Sequence, residues 1–120
     1  MRVICVEPMK KPYVKEIESG LKSLQKEVDG YIEALYPFED EVAIVCNEEG
    51  KLNHLAPNRG LFDENGKLYD IILGTFLIVG LAEEDFGSLS DELVTKYLRK
   101  YRRPEVFMQV APGRIIALRA

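Results

Sequence analysis

The sequence predicts an α+β fold, an antiparallel sheet with two helices, in a single domain over residues 1–120. Three observations carry that expectation. Short apolar runs rich in β-branched and aromatic residues recur between turn formers, which is the pattern of buried strands. Two segments show apolar residues at three- and four-residue spacing, the period of an amphipathic helix. Turn signals such as Asn65-Gly66 and the loop from Pro37 to Glu41 separate strand-like runs by short connections, as hairpins require.

The stretch from Leu68 to Leu81 is the organising one. Its runs Ile71-Ile72-Leu73 and Phe76-Leu77-Ile78-Val79 flank Gly74-Thr75. The stretch is too short to span a membrane. Gly74 has two readings: a β-bulge or strand bend, or a gap through which a ligand approaches the backbone. On the second, Phe76 shares its face if the strand is unbroken, and a planar ring could stack on it. A bulge would reverse that facing.

From the start of the chain, Met1 to Glu7 reads as a strand in a central position, ended by Pro8. The apolar run stops at Glu7, short of a signal-peptide core, so a cytoplasmic location is expected. Tyr13, Ile17, Leu21, Leu24 and Val28 form one helical face, but Ser19-Gly20 allows a strand from Tyr13 to Ile17 with Ser19 opening a shorter helix. Asp29-Gly30 closes that helix, with glycine in the left-handed conformation. Tyr31 to Tyr36 and Val42 to Cys46 form a hairpin. Leu52 to Phe62 has almost no periodicity and reads as a loop, the kind of segment that carries binding residues, here Asn58 and Arg59. A solvated charge is the simpler account of Arg59. His54 is the only histidine, and a surface position suits it better than catalysis.

The acidic run Glu83-Glu84-Asp85 reads as a solvated loop. A second helix follows, with Ser88 and Asp91 in a capping-box-like arrangement and Leu89, Leu93, Tyr97 and Tyr101 on its apolar face, stopped by Pro104. Val106 to Val110 and Ile115 to Leu118 are further strand-like runs. Cys5 and Cys46 lie in apolar runs and read as buried free thiols.

The net charge of −4 is unevenly spread. Residues 1–95 hold nine Lys and Arg against nineteen Asp and Glu, and residues 96–120 hold seven against one. The basic end suits a small anion, while the acidic remainder would repel long DNA. No nucleophile elbow, Walker loop, Cys-x-x-Cys pair, zinc-protease motif or dinucleotide fingerprint is present, so catalysis has no motif behind it. Guanidinium groups at Arg59, Arg102 and Arg103, with aromatic rings at Phe76 and Phe86, would suit a nucleotide. On the residues alone, a core with scattered surface charge accounts for the same inventory more simply.

A set of residues adds a resemblance. It runs through Pro12-Tyr13, Gly30-Tyr31-Ile32-Glu33, Tyr36-Pro37-Phe38, Cys46-Asn47-Glu48-Glu49-Gly50-Lys51-Leu52, Asn58-Arg59, Tyr69-Asp70-Ile71-Ile72, Gly74-Thr75-Phe76, Val79-Gly80, Phe86, Ser88-Leu89-Ser90 and Arg103-Pro104. Together these resemble a small family seen mainly in phages, prophages and Gram-positive bacteria and long known only as a domain of unknown function, and within it the first-described type of Thoeris anti-defence sponge. The resemblance implies binding and sequestration, without cleavage, of a cyclic ADP-ribose isomer made by a TIR-domain enzyme. It implies that Phe76 stacks on the adenine and Arg103 holds phosphate, with Arg59 and Asn58 as weaker contacts and Ser88 and Phe86 lining the pocket. It further implies no cofactor, no metal, a homo-oligomer whose pocket is built from two chains, no membrane or DNA partner, and action in the host bacterial cytoplasm. A regulatory protein that binds a host protein through its acidic face is the alternative, and a slow phosphodiesterase a third.

Overall fold

The computed structural model describes residues 1–119. In chain order the elements are β1 (Arg2–Val6), β2 (Tyr13–Glu16), α1 (Leu21–Val28), β3 (Ile32–Leu35), β4 (Val42–Asn47), β5 (Pro57–Phe62), β6 (Leu68–Leu73), β7 (Phe76–Leu81), β8 (Phe86–Gly87), α2 (Asp91–Lys100), β9 (Glu105–Ala111) and β10 (Arg114–Arg119). The fold is α+β, with antiparallel pairing throughout the described sheets.

The main sheet has the order β2-β1-β7-β4-β3, with β8 added to β7. Its three inner strands are apolar on both faces because both faces are covered. On one side Val3, Cys5, Ala43, Val45, Leu77 and Val79 pack with Ile17 and with Leu24 and Val28 of α1. On the other, Ile4, Val6, Val42, Ile44, Phe76 and Ile78 pack with Leu89, Tyr97 and Tyr101 and with Leu61 and Ile72 of the β5–β6 hairpin. The β5–β6 and β9–β10 pairs are two-stranded sheets of their own.

Several local expectations hold. β1 is an inner strand, β3 and β4 form a hairpin, and the Asn65-Gly66 turn joins β5 to β6. Leu89, Tyr97 and Tyr101 are buried as the helical spacing requires. Cys5 and Cys46 are free and buried. Burial, reinforced by Glu33 and Asp70, pushes the Cys46 thiol up to about 11.

Other expectations are corrected. The first helix is the shorter alternative, preceded by a strand, but its N-cap is Gly20 and no side chain caps it, so Ser19 does not open it. At its end Asp29, not Gly30, takes the left-handed conformation, with φ 58°. Gly30 is needed for space: a Cβ there would sit 2.6 Å from Asn47 Nδ2. That amide closes the helix by donating to the carbonyls of Val28 and Asp29 at 3.0 and 3.2 Å. The second helix is capped by Ser90, whose side chain accepts from Leu93 N, and not by Ser88. Half of the segment expected to be a loop, residues 57–62, is β5.

Gly74 stands between strands of different sheets. With φ 81° it occupies the left-handed region, and it turns the chain out of β6 into β7. This is a bend of the anticipated kind, although it joins two sheets. The space beside the missing side chain is filled by Leu55, whose Cδ1 would lie 2.7 Å from an added Cβ.

Candidate functional site

The six residues singled out from the sequence fall into two groups. Asn58, Arg59 and Phe76 are wholly buried. Asn58 Nδ2 donates to the carbonyl oxygens of Val6 and Gly74, at 2.9 and 2.8 Å, and so ties β5 to β1 and to the β6–β7 bend. Arg59 donates to the carbonyls of Tyr101 and Lys10 and to Asn58 Oδ1. Desolvation lowers the Arg59 pKa from its ordinary value, and the Glu105 carboxylate opposes that shift. Arg59 is therefore not the solvated charge that composition favours, nor does it present a free fork to a phosphate. The Phe76 ring sits edge-on to Tyr101, with centroids 5.5 Å apart, inside the core. A ring with no exposed face has none to offer adenine, so the stacking role is corrected to a packing role in this conformation.

Phe86, Ser88 and Arg103 lie nearer the surface. Phe86 packs at the margin of the α1 side of the core. Ser88 Oγ accepts from Arg2 N at 2.9 Å, fixing the chain as it leaves β8. Arg103 is exposed beyond the end of α2. None of the six lines any of the four clefts described for the surface. A shallow hollow beside the end of α2 is instead lined by Lys11, Pro12, Leu98, Arg99 and Arg102.

A spacious cleft lies elsewhere. It has a volume of about 1040 Å³ and runs between the β5–β6 hairpin and β10. Its walls are Phe62, residues 66–71 and Leu73 on one side and residues 113–117 on the other, with Lys51 contributed by the loop after β4. Ligand sites in proteins commonly span about 300–1,000 Å³, so a nucleotide has room here. Three cations, Lys51, Lys67 and Arg114, line it together with Tyr69 and Phe62, which are 57 and 40% exposed. One carboxylate, Asp70, lies among them and pairs with Lys51 Nζ at 3.3 Å. Both members of that pair reach solvent, so exchanging it for a phosphate costs little.

The arrangement is chemically suited to an anion with a planar apolar part. Ammonium and guanidinium groups donate to phosphate oxygens, and the aromatic and aliphatic walls exclude water from a base. Sequence reading missed this cleft because its walls come from segments far apart in the chain. Lys67 and Tyr69 beside the Asn65-Gly66 turn were the visible half of the signal. Among the described residues, no group of three or more His, Cys, Asp and Glu is placed to hold a metal ion, and no helix is long and apolar enough to cross a membrane.

The family model described as Domain of unknown function (DUF3846) matches residues 1–102, and the chain belongs to this family. The match runs from β1 through α2 and leaves β9 and β10 outside it. No curated protein and no solved structure matches the chain.

Proposed function

We propose that this protein is a non-catalytic sponge that binds and sequesters a cyclic ADP-ribose isomer, and that a phage or prophage uses it in the bacterial cytoplasm to evade TIR-based Thoeris defence. The observation that carries the binding reading is the cleft between the β5–β6 hairpin and β10, with Lys51, Lys67 and Arg114 beside Tyr69 and Phe62. The resemblance in the sequence supplies the identity of the ligand. In this reading the cations hold the phosphates and an aromatic ring meets the adenine, while Asn58 and Arg59 fasten the β5–β6 wall to β1 and to the end of α2 from within the core.

The test is to incubate the purified protein with a cyclic ADP-ribose isomer, remove free ligand, denature by heat and chromatograph what is released. Intact ligand supports a sponge. Degraded ligand identifies an enzyme. No retention at all favours an interaction protein working through its acidic surface, where residues 83–85 are exposed.

A further inference from the structure

A smaller cleft, of about 280 Å³, shares two aromatic side chains with the spacious one: Phe62 and Tyr69 line both. The two hollows are therefore neighbours across these rings, and their chemistry differs. Lys51, Lys67 and Arg114 line the first. The second is lined by Glu105, which heads β9 and is only 6% exposed.

Burying a carboxylate is costly unless its oxygens are bonded, and the chain uses only part of the capacity of Glu105. Its Oε1 accepts from Gly60 N at 3.1 Å. Among the described residues no donor is placed on Oε2, and no cation comes within ion-pair distance of either oxygen. The Arg59 guanidinium is near enough to be felt electrostatically, but its donors go to Tyr101, Lys10 and Asn58. Lys100 lines the same cleft and holds its ammonium over the rings of Phe38 and Tyr101, 5.3 and 5.9 Å from their centroids. Arg119, opposite Glu105 in the hairpin, is exposed. Among the described residues no fully enclosed side-chain oxygen lacks a partner, so Oε2 is open to the cleft. Holding Gly60 accounts for one oxygen and leaves the other as an acceptor at the wall.

We infer that Glu105 determines which base the nucleotide site takes: the base lies on Phe62 and Tyr69, with the phosphates towards Lys51, Lys67 and Arg114, and the exocyclic amine of adenine donates to Glu105 Oε2. This rests on the nucleotide reading above and adds to it the selection of an aminopurine. Each ribose is joined to phosphate and so falls on the cationic side of the rings, which leaves the far edge of the base to meet the carboxylate. An exocyclic amine satisfies that acceptor, as it does when Glu or Asp accepts from the amine of cytosine in a DNA groove. A carbonyl at the same position, as in hypoxanthine, sets oxygen against oxygen. A site built around such a bond rejects the analogue that cannot make it, because its own buried group is left unpaired. Glu105 lies beyond the residues that the family model matches.

The test is calorimetric titration of a cyclic ADP-ribose isomer with a free exocyclic amine, and of its hypoxanthine counterpart, into the wild type and Glu105→Gln. The wild type binds the adenine ligand more tightly by at least about tenfold. In Glu105→Gln the amide oxygen keeps the bond from Gly60 N, which turns the amide NH2 into the cleft, so the preference reverses towards the carbonyl-bearing ligand. A merely structural role would lower both affinities together. A second measurement needs no substitution. In the wild type the side-chain carboxyl carbon resonance of Glu105 moves on addition of the adenine ligand and stays in place on addition of inorganic pyrophosphate, which has only the cations to bind. Equal affinity of the wild type for the two ligands, a preference unchanged in Glu105→Gln, or a Glu105 resonance that ignores the adenine ligand or answers pyrophosphate equally would each overturn this inference and leave the nucleotide reading standing. A wild type that binds neither ligand would overturn both.

Discussion

Arg59 donates through Nε and Nη2 to the carbonyl oxygen of Tyr101, at 3.3 and 2.9 Å. One guanidinium thereby joins β5 to the end of α2, and the same Nη2 reaches Lys10 O at 2.8 Å to hold the loop after β1. Residues that sequence reading set aside for a ligand are the ones that lock the β5–β6 hairpin onto the main sheet. Removing the guanidinium leaves buried carbonyls without donors, each a loss of roughly 1–3 kcal/mol. Arg59→Met is expected to lower the unfolding free energy by about 3 kcal/mol in urea titrations. Arg59→Lys recovers little of that loss, because an ammonium lacks the planar fork that serves several acceptors at once.

Phe76 separates a packing role from a stacking role. As a core residue, its truncation in Phe76→Ala costs about 3–5 kcal/mol, whereas Phe76→Leu keeps much of the volume and costs far less. Thermal melts are expected to rank the variants in that order. Under the proposed function, Phe76→Leu, once folded, is expected to bind a cyclic ADP-ribose isomer as the wild type does. A stacking ring would instead lose binding in both variants with little change in melting.

Asp40 makes stability depend on pH. Its carboxyl is held below the ordinary carboxylate range, first by the Lys96 ammonium and then by the Tyr97 hydroxyl, which donates to Oδ2 at 2.7 Å. Burial, followed by Asp40 itself, raises the Tyr97 phenol, which therefore stays protonated as the donor. A carboxyl depressed in the folded state stabilises the fold above its unfolded pKa, and the effect is lost as pH falls through the folded value. Asp40→Asn is accordingly expected to melt below the wild type at neutral pH, and the two melting temperatures to converge as the pH falls below about 4.

Much of the architecture was legible because periodicity and punctuation report local structure. The four-residue spacing of Leu89, Leu93, Tyr97 and Tyr101 marked α2, and Asn65-Gly66 marked the hairpin turn. β5 was hidden because Asn58, Arg59 and Gly60 are polar or small and yet buried, held by hydrogen bonds that no hydropathy pattern encodes. Cap positions slipped for a similar reason: Ser88 and Ser90 are both plausible on composition, and the backbone that places Ser90 Oγ by Leu93 N decides between them. The cleft was illegible as a unit. Lys51, Lys67 and Arg114 come together only after β10 is brought alongside the β5–β6 hairpin, a long-range arrangement with no local signature.

The most direct test of the binding account is calorimetric titration of a cyclic ADP-ribose isomer into the wild type and into Lys67→Glu/Arg114→Glu. Both positions line the cleft, and Lys67 and Arg114 are exposed, so the variant should fold. Two charge-assisted hydrogen bonds at roughly 1.5–3 kcal/mol each correspond to a loss of affinity of at least about a hundredfold. That loss, with an unchanged melting temperature, is the predicted result. Equal affinity in the wild type and the variant would contradict the assignment of the nucleotide to this cleft.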